Sequence, residues 1–191
     1  DCPGTNKCPE AQVPPATEEC SVFSARREEV ASLDIRKTCF ANLNSPSGID
    51  GGAIRILNAP LHLEEDTFRS CTTEVNGGAI FASYTGATCD LYIDKCLFEN
   101  CKAGISGGAV YFSNEMPTNS TILNSKFFTN EAFESGGALY YSPCAKSSLE
   151  GCFFLNNKLS KPNNNRGTAV YALIRNFNNK INNDRVFIDN N

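Results

Sequence analysis

The sequence lacks most of the patterns on which common catalytic and binding sites depend. Its single histidine, His62, has no partner suggested by the sequence and cannot by itself build a zinc site or a Ser-His-Asp constellation. No glycine-rich phosphate loop precedes a predicted helix. No apolar run approaches the ~20 residues of a membrane-spanning helix, and a net charge of -4 does not favour nucleic acid or an anionic membrane. We therefore expect no cofactor, no metal, no nucleic acid and no membrane insertion.

Cysteine-pair motifs are also absent, although the chain contains 10 cysteines in 191 residues. Without a Cys-x-x-Cys pair and with one histidine, disulfides in an oxidising compartment explain the cysteines better than metal does. The opening Asp1-Cys2-Pro3 has no initiator methionine and is typical of a processed mature end. Asn119-Ser120-Thr121 is the one good sequon and predicts N-glycosylation at Asn119. Together these features predict a secreted, extracellular glycoprotein.

What the sequence does contain is a repeat. Five times an aromatic residue is followed two positions on by Asn, or once by Ser, and later by Gly-Gly-Ala-aliphatic, with Gly-Thr-Ala-Val in the last copy. The copies start at Phe40, Phe68, Phe98, Phe128 and Phe154. Consecutive starts are thus 28, 30, 30 and 26 residues apart. A period in this range indicates one supersecondary unit stacked on itself.

The repeat predicts strands rather than helices, because its short apolar runs have period two and are separated by Gly and Asn. An aliphatic residue stands five positions before each aromatic, at Ile35, Leu63, Ile93, Leu123 and Leu149. Stacking such coils pairs each strand with its equivalent at ~4.8 Å and encloses a continuous core. We therefore predict an all-β fold, a right-handed parallel β-helix (solenoid) of about five to six coils over residues 31–191.

Two further alignment columns support this register. The column two positions after the aromatic contains Asn42, Ser70, Asn100, Asn130 and Asn156. Asn at this position is typical of a turn with left-handed backbone. The charges alternate in sign from coil to coil at Lys37, Glu65 and Lys95, and opposite charges also face each other at Arg36 and Glu64 and at Arg69 and Glu99. Opposite charges directly across a strand pair stabilise it by some tenths of a kcal/mol.

A third column follows the aliphatic residue and is aromatic in all but its first member. It consists of Arg55, Phe81, Tyr111, Tyr140 and Tyr171. Strand alternation places it on the outer surface, opposite the inward aliphatic column. Such an aromatic ladder could stack on sugars, although cross-strand packing alone also explains it.

The register also suggests how the cysteines pair. Cys71 and Cys101 share one column in adjacent coils, so a disulfide between them would join coil to coil within a normal Cα separation. Two loop cysteines are each followed seven or eight residues later by another, which predicts the pairs Cys89–Cys96 and Cys144–Cys152. The N-terminal segment keeps four cysteines in three possible connectivities, of which we favour Cys20–Cys39 with Cys2–Cys8.

Residues 1–30 differ from the rest of the chain. They are rich in Cys and Pro, and Ser24 is a plausible N-cap for a short helix over the following Ala-Arg-Arg-Glu-Glu-Val. Because an exposed β-helix end is a row of unpaired backbone groups, we predict a disulfide-pinned cap here. The C-terminal residues show no comparable capping pattern.

The repeat resembles that of the chlamydial polymorphic membrane proteins and of related β-helix surface proteins in protists. The longer form of the motif occurs at Phe127-Phe128-Thr129-Asn130, Phe153-Phe154-Leu155-Asn156 and Phe187-Ile188-Asp189-Asn190, and with Leu at Leu97-Phe98-Glu99-Asn100. The resemblance covers roughly residues 35–191. It implies a β-helical extracellular or adhesive role and carries over no catalytic residues.

Three functions are compatible with this pattern. We favour a non-enzymatic structural or adhesive protein that assembles head to tail, because such contacts do not close and generate a filament; alternatively, the chain is a fragment whose remainder supplies the cap. A monomeric adhesin-like module that binds cell-surface glycans through the aromatic ladder is the second. The third is a polysaccharide-cleaving enzyme that uses a carboxylate column, in which Glu64, Asp94 and Glu150 are joined by Asn124.

Overall fold

The chain folds as stacked β strands. The computed structural model describes residues 23–26, 32–85, 90–114, 119–142, 147–161, 166–173, 180–181 and 187–189. Every regular element within these ranges is a strand, and the strands form four parallel sheets. We number the sheets I to IV.

The strands of each sheet follow one another at intervals along the chain. Sheet I contains β1 (Phe23–Arg26), β4 (Ile54–Leu57), β8 (Ile80–Tyr84), β12 (Val110–Asn114), β16 (Leu139–Ser142) and β20 (Val170–Ala172). Sheet II contains β2 (Leu33–Arg36), β5 (Leu61–Glu64), β9 (Leu91–Asp94), β13 (Ser120–Leu123), β17 (Ser147–Glu150) and β21 (Lys180–Ile181). Sheet III contains β3 (Cys39–Ala41), β6 (Thr67–Arg69), β10 (Leu97–Glu99), β14 (Lys126–Phe128), β18 (Phe153–Leu155) and β22 (Phe187–Asp189). Sheet IV contains β7 (Thr72–Thr73), β11 (Lys102–Ala103), β15 (Glu131–Ala132) and β19 (Lys158–Leu159).

Each strand pairs in parallel with the equivalent strands of the turns before and after it. Four successive turns, from β5 to β20, carry a strand in every sheet. The prediction of an all-β parallel solenoid is therefore confirmed. The predicted five to six coils include the incomplete first and last turns, and the complete turns number about four.

The core is a set of columns that run along the stack. The column of phenylalanines consists of Phe40, Phe68, Phe98, Phe127 and Phe154, whose neighbouring ring centroids lie 4.6 to 4.9 Å apart with nearly parallel planes. The last four of these rings are 0% exposed. Full burial of one such side chain contributes about 1.5–3 kcal/mol. The column therefore contributes several such increments to the free energy that stabilises the stacked turns.

The bends between sheets repeat as columns of left-handed backbone. One column, between sheets II and III, has φ between 47° and 64° at Lys37, Glu65, Lys95, Asn124 and Gly151. A second, after sheet III, has φ between 51° and 58° at Asn42, Ser70, Asn100, Thr129 and Asn156. In the Gly-Gly pair, Gly51 has φ 75°, while a Cβ on Gly52 would lie 2.1 Å from the carbonyl oxygen of Gly78 in the next turn. Only glycine fits a site where two turns approach so closely.

The fourth repeat is in a different register from the predicted one. Phe127, not Phe128, pairs with Phe98 and Phe154, so the inward aliphatic residue is Ile122 rather than Leu123. Similarly, Thr129 rather than Asn130 occupies the left-handed bend. The sequence offers two adjacent phenylalanines, and packing selects the one whose ring faces the core. Phe128 instead makes an edge contact with Phe153 at 5.9 Å.

The predicted charge pairs between neighbouring turns are confirmed. Nearest oxygen-to-nitrogen distances are 3.9 Å for Lys37–Glu65, 3.9 Å for Lys95–Glu65, 3.3 Å for Arg36–Glu64 and 2.9 Å for Arg69–Glu99. Such partly exposed pairs each contribute only about 0–1 kcal/mol. They report the register more than they stabilise the fold.

The N-terminal segment departs from its prediction in one place. Residues 23–26 form strand β1 rather than the start of a helix capped by Ser24, and β1 pairs in register with β4. Pairing with a sheet that is already formed overrides the local helix propensity. Residues 1–22 and 27–31, which contain the rest of the predicted cap, lie outside the described residues.

Candidate functional site

The predicted carboxylate column contains only two adjacent carboxylates. Glu64 on β5 and Asp94 on β9 are register partners, but the next turn puts Leu123 between Asp94 and Glu150. Asn124, which the sequence placed in this column, forms the following bend. Leu123 replaces Asn124 in this column because the fourth repeat is shifted by one residue from its predicted register.

Both carboxylates are held by neighbouring side chains. Asn124 Nδ2 donates to Asp94 Oδ1 at 2.9 Å, and Lys95 Nζ lies 3.6 Å from Asp94 Oδ2. The nearest cation to Glu64 is Arg36, with Nη1 3.3 Å from Oε2. Each carboxylate thus has a cationic neighbour, and Asp94 also accepts a hydrogen bond from an amide. The arrangement is that of structural ion pairs.

The outer aromatic ladder consists of Phe81, Tyr111, Tyr140 and Tyr171, which are register partners on β8, β12, β16 and β20. Neighbouring ring centroids lie 5.2, 4.4 and 5.4 Å apart along the ladder. The first two contacts are stacked and the last is tilted by 41°. Arg55 covers the first ring, with its guanidinium carbon 5.9 Å from the Phe81 centroid. The neighbouring rings thus cover one another's faces. Phe81, predicted on the outer surface, is only 9% exposed, and the three tyrosines are half-buried.

The sequence did not predict a groove that is lined by Asn100, Cys101, Lys102, Thr129, Glu131, Asn156 and Lys158. In it, Glu131 lies 3.2 Å from Lys102 Nζ and 3.3 Å from Lys158 Nζ and accepts a hydrogen bond from the Ser160 hydroxyl. The hydrogen bond from Ser160 and those from the two lysines lower the pKa of Glu131. The alternation of Lys, Glu and Lys in one column exists only in the observed register, in which Phe127 rather than Phe128 aligns with Phe98 and Phe154.

One inward column combines thiols and amides, and we call it the thiol–amide column. It consists of Leu43, Cys71, Cys101, Asn130 and Asn157, each of which directly precedes its sheet IV position. Cys101 is 0% exposed, and burial raises the pKa of its thiol. The Cys71 and Cys101 thiols are hydrogen-bonded to each other and are not joined by a disulfide. They occupy adjacent turns as the sequence indicated, and the covalent bond stays a prediction.

The amide half of this column forms a buried ladder. Asn130 Oδ1 accepts a hydrogen bond from the backbone N–H of Cys101 at 2.9 Å, and Asn130 Nδ2 donates to the carbonyl of Phe98 at 3.1 Å. Asn157 repeats the pattern one turn later, accepting from the Asn130 backbone N–H at 3.0 Å and donating to Phe127 O at 2.9 Å. The two amides also bond each other at 2.9 Å. Each asparagine therefore satisfies backbone groups that the bend leaves open.

The predicted pairs Cys89–Cys96 and Cys144–Cys152 are described only at their second members, so both pairings stay predictions. Cys96 and Cys152 are free thiols that point into the core, in a column with Asp66 and Ser125. Burial raises the pKa of Cys96 to about 12 and that of Cys152 to about 11. The loop members Cys89 and Cys144 lie outside the described residues.

At the N-terminal end, Cys39 is disulfide-bonded. Because the other four described cysteines are free thiols, its partner lies outside the described residues. Cys2, Cys8 and Cys20 also lie outside them. The preference for Cys20–Cys39 with Cys2–Cys8 therefore stays a prediction.

The sequon lies at the start of β13. Asn119 is exposed, and its carbonyl accepts a hydrogen bond from Leu91 at 3.0 Å. Its neighbour Ser120 is buried, with its hydroxyl 2.7 Å from that of Tyr141, whose pKa burial raises to about 12. The amide that would carry a glycan is thus accessible, and glycosylation at Asn119 stays a prediction.

Sheets I, II and III contain six described strands each, and sheet IV contains four. The outermost described strands are β1, β2 and β3 on one side of the stack and β20, β21 and β22 on the other, with β7 and β19 outermost in sheet IV. The inward apolar residues of the first turn are only partly buried, namely Leu33, Ile35, Phe40 and Leu43. Their equivalents one turn further in, Leu61, Leu63 and Phe68, are at most 1% exposed. The core is therefore less covered at this end than inside.

The described residues contain no group of three or more His, Cys, Asp or Glu that could hold a metal ion. No helix in that part of the chain is long and apolar enough to cross a membrane. No family model matches the chain, and neither a curated protein nor a solved structure matches it significantly. The likeness to the chlamydial repeat therefore rests on the motif, and its parallel β-solenoid is the part that the structure supports.

Proposed function

We propose that this protein is a secreted, non-enzymatic structural or adhesive β-solenoid that assembles head to tail into an extracellular filament or surface layer. The observation that supports this proposal is the parallel stack itself, in which each described strand already pairs with the equivalent strand of a neighbouring turn. A right-handed winding is part of the proposal, because parallel crossovers are almost always right-handed.

Open sheet edges are the surfaces through which such a protein would bind another copy. An edge strand presents unpaired N–H and C=O groups that template pairing with another chain. The two ends differ from each other, so end-to-end contact is heterologous and does not close, which gives a linear polymer. The partly buried apolar residues of the first turn add a hydrophobic contribution to the same contact.

The side surfaces support a structural role more than a catalytic one. The two adjacent carboxylates, Glu64 and Asp94, are engaged by Arg36, Lys95 and Asn124. The cysteine content and the accessible Asn119 agree with an extracellular location. Cell-surface glycans are a further candidate partner for the sides of the rod.

Electron microscopy and light scattering of the purified native protein test the proposal. We expect rods longer than one molecule and a scattering mass that rises with protein concentration. A monodisperse monomer at high concentration contradicts self-assembly. The same sample should show no cleavage of polysaccharides, and reproducible cleavage that is lost in the Glu64→Gln variant contradicts the non-enzymatic role.

Glycan binding by the aromatic ladder is the second candidate function. The half-buried Tyr111 and Tyr171 favour it, since tyrosine hydroxyls can hydrogen-bond a sugar. The mutual stacking of the rings weakens it, because sugars bind to ring faces rather than ring edges. A glycan array tests this function, with Tyr111→Phe as a variant that keeps the ring and removes the hydroxyl. Binding by the native protein that Tyr111→Phe loses supports it, and an array without binding contradicts it.

A further inference from the structure

We infer that the groove around Glu131, together with the neighbouring Phe133, binds acidic sugars, that is, glycan units that bear a carboxylate or a sulfate. We call it the Glu131 groove. The inference rests on the adhesive part of the proposed function and names the class of glycan that the side of the rod binds. It does not depend on head-to-tail assembly.

The Glu131 groove has the size and the lining of a small-ligand site. It encloses about 360 Å³, and sites for small ligands span about 300–1,000 Å³. Apart from Cys101, every residue that lines it is polar or charged. The hydroxyl of Thr129 donates to Asn100 Oδ1 at 2.5 Å, which leaves the amide nitrogen of Asn100 as a donor. With two lysines beside these groups, the groove suits a ligand that is rich in acceptor oxygens.

The two lysines of the groove keep most of their hydrogen-bonding capacity. Lys102 Nζ lies 3.2 Å from one oxygen of Glu131, and Lys158 Nζ lies 3.3 Å from the other. An ammonium group has three N–H donors, so each lysine can also donate to a ligand. The side chains are 57% and 66% exposed. One carboxylate, which its hydrogen bonds keep ionised by lowering its pKa, thus positions two ammonium groups and neutralises only one of the two charges.

Positive charge extends beyond the groove along the same side of the rod. In sheet IV and the bend that follows it, the third to fifth turns contain four cations and two carboxylates. The cations are Lys102, Lys158, Lys161 and Arg166, and the carboxylates are Glu131 and Glu134. The chain as a whole has a net charge of -4. A local excess of cations on such a chain attracts an anionic ligand to this side.

Phe133 provides an apolar surface next to these charges. It lies two positions after Glu131, so both side chains belong to the outer face of the strand, and it is 41% exposed. Continuing the sheet IV register by one position aligns Phe133 with Gly104 of the preceding turn, which has no side chain to cover the ring. Lys161 Nζ lies 5.5 Å from the ring centroid. Aromatic rings suit the apolar faces of sugars, and this ring is not stacked in the outer aromatic ladder.

Titration calorimetry with short polymers tests the inference. Oligogalacturonate supplies carboxylates and sulfated dextran oligosaccharide supplies sulfates, whereas plain dextran oligosaccharide is uncharged and polyglutamate is an anion without sugar rings. We expect the native protein to bind at least one acidic oligosaccharide more tightly than dextran and polyglutamate, with an affinity that falls as salt rises. Equally tight binding of polyglutamate would indicate a site for acidic peptides and contradict the assignment to sugars.

Two variants with matched controls test the groups that bind. Lys102→Gln/Lys158→Gln should weaken binding of the acidic oligosaccharide by about tenfold or more, and Phe133→Ala by about fivefold. The controls are Lys126→Gln, an exposed lysine of sheet III, and Ile49→Ala, an apolar side chain that is 40% exposed in the first turn. Each control should change the affinity by less than about twofold. Circular dichroism establishes that each variant is folded, and folded test variants that bind like the native protein contradict the inference.

Glu131→Gln tests the charge of the ligand by the sign of its effect. The substitution keeps the shape of the side chain and removes the charge that competes for both lysines. We therefore expect the acidic oligosaccharide to bind about threefold more tightly or better. Weaker binding would mean that Glu131 itself accepts hydrogen bonds from the ligand, which contradicts a site for an anionic group.

The outcomes separate this inference from head-to-tail assembly. If the native protein binds neither acidic oligosaccharide, the inference is wrong, while filaments in the electron microscope leave assembly standing. If the native protein binds an acidic oligosaccharide and remains a monodisperse monomer, the inference stands and head-to-tail assembly is wrong.

Discussion

The thiol–amide column solves one structural problem with two kinds of side chain. In the second and third turns it contains Cys71 and Cys101, and in the next two turns it contains Asn130 and Asn157. All four positions face the core next to a left-handed bend. The column therefore compares two chemistries in nearly the same surroundings, within one molecule.

The difference lies in which backbone groups each side chain reaches. The amides both accept from a backbone N–H of the preceding turn and donate to a carbonyl. The thiols contact each other and make long contacts to carbonyls, such as Cys101 Sγ to Glu99 O at 3.6 Å, all of which are weak hydrogen bonds. In addition to the backbone ladder, the amide turns are thus joined by strong side-chain hydrogen bonds, whereas the thiol turns have only weak ones.

The largest effect is expected in the amide half. Asn130→Ala leaves the Cys101 N–H and the Phe98 carbonyl without their buried partner, and each such group costs about 1–3 kcal/mol. We expect the free energy of unfolding to fall by about 3–5 kcal/mol, measured by urea denaturation. Cys101→Ala, one turn earlier in the same column, is the matched control and should cost about 1 kcal/mol. Equal losses in the free energy of unfolding at the two positions would contradict the difference between the amide half and the thiol half of the column.

A disulfide would strengthen the thiol half by a comparable amount. Cys71 and Cys101 are 30 residues apart, and closing a loop of that length stabilises a fold by about 3–4 kcal/mol. We therefore expect oxidised protein to unfold at higher urea concentration than reduced protein. Peptide mapping should join Cys71 to Cys101, and the double variant Cys71→Ala/Cys101→Ala should not form that crosslinked peptide. A map that joins Cys71 to any other cysteine contradicts the pairing.

Alkaline pH should weaken the fold through the buried thiols. The pKa of Cys96 rises from an ordinary value of 9.0 to about 12, and that of Cys152 to about 11. Because burial favours the protonated thiols, their contribution is fully present below pH 9 and declines as the pH rises from 9 toward the folded-state values. We expect the two thiols together to lower the free energy of unfolding by about 3 kcal/mol between pH 8 and pH 10.

Denaturation at a series of pH values measures this loss. Cys96→Ser/Cys152→Ser should flatten the profile, and Ser125 shows that serine is tolerated in this column. A native profile that is already flat would mean that these cysteines do not titrate, as expected if they were disulfide-bonded.

The smallest effect belongs to the outer surface of the same turns. Glu131 lies between Lys102 and Lys158, both largely exposed, so Glu131→Gln should cost about 0–1 kcal/mol. The loss should shrink in high salt, because exposed charges are screened. Thermal unfolding at low and high salt measures it. A larger loss of stability that does not depend on salt would show that the turns also differ in stability at their outer surface.

The sequence predicted the fold well because each turn repeats the same physical demands. Aliphatic, aromatic and glycine positions recur once per turn, so the columns identify strands and bends without further information. The fourth turn was placed one residue out because Phe127 and Phe128 both fit the aromatic position, and only packing distinguishes them. That error assigned Asn130 to a bend and so concealed the amide ladder.

Local patterns were less informative where pairing decides the outcome. Ser24 lies within residues 23–26 and resembles a helix N-cap. These residues nevertheless form β1, because β4 provides a partner strand. The thiols Cys96 and Cys152 were paired with loop cysteines by spacing alone, whereas their direction into the core depends on strand parity. Stacking alone predicts that equivalent strands form continuous sheets, but only the structure shows that there are four such sheets and which strands belong to each.

The turn spacing has a mechanical consequence. Successive core phenylalanines, from Phe40 to Phe154, are 28, 30, 29 and 27 residues apart, yet each turn advances the rod by only about 5 Å. A turn peeled from the end under load would release about 100 Å of extended chain. A solenoid that yields in this way would lengthen about twentyfold at each released turn and leave the neighbouring turns intact, so it would absorb work in steps.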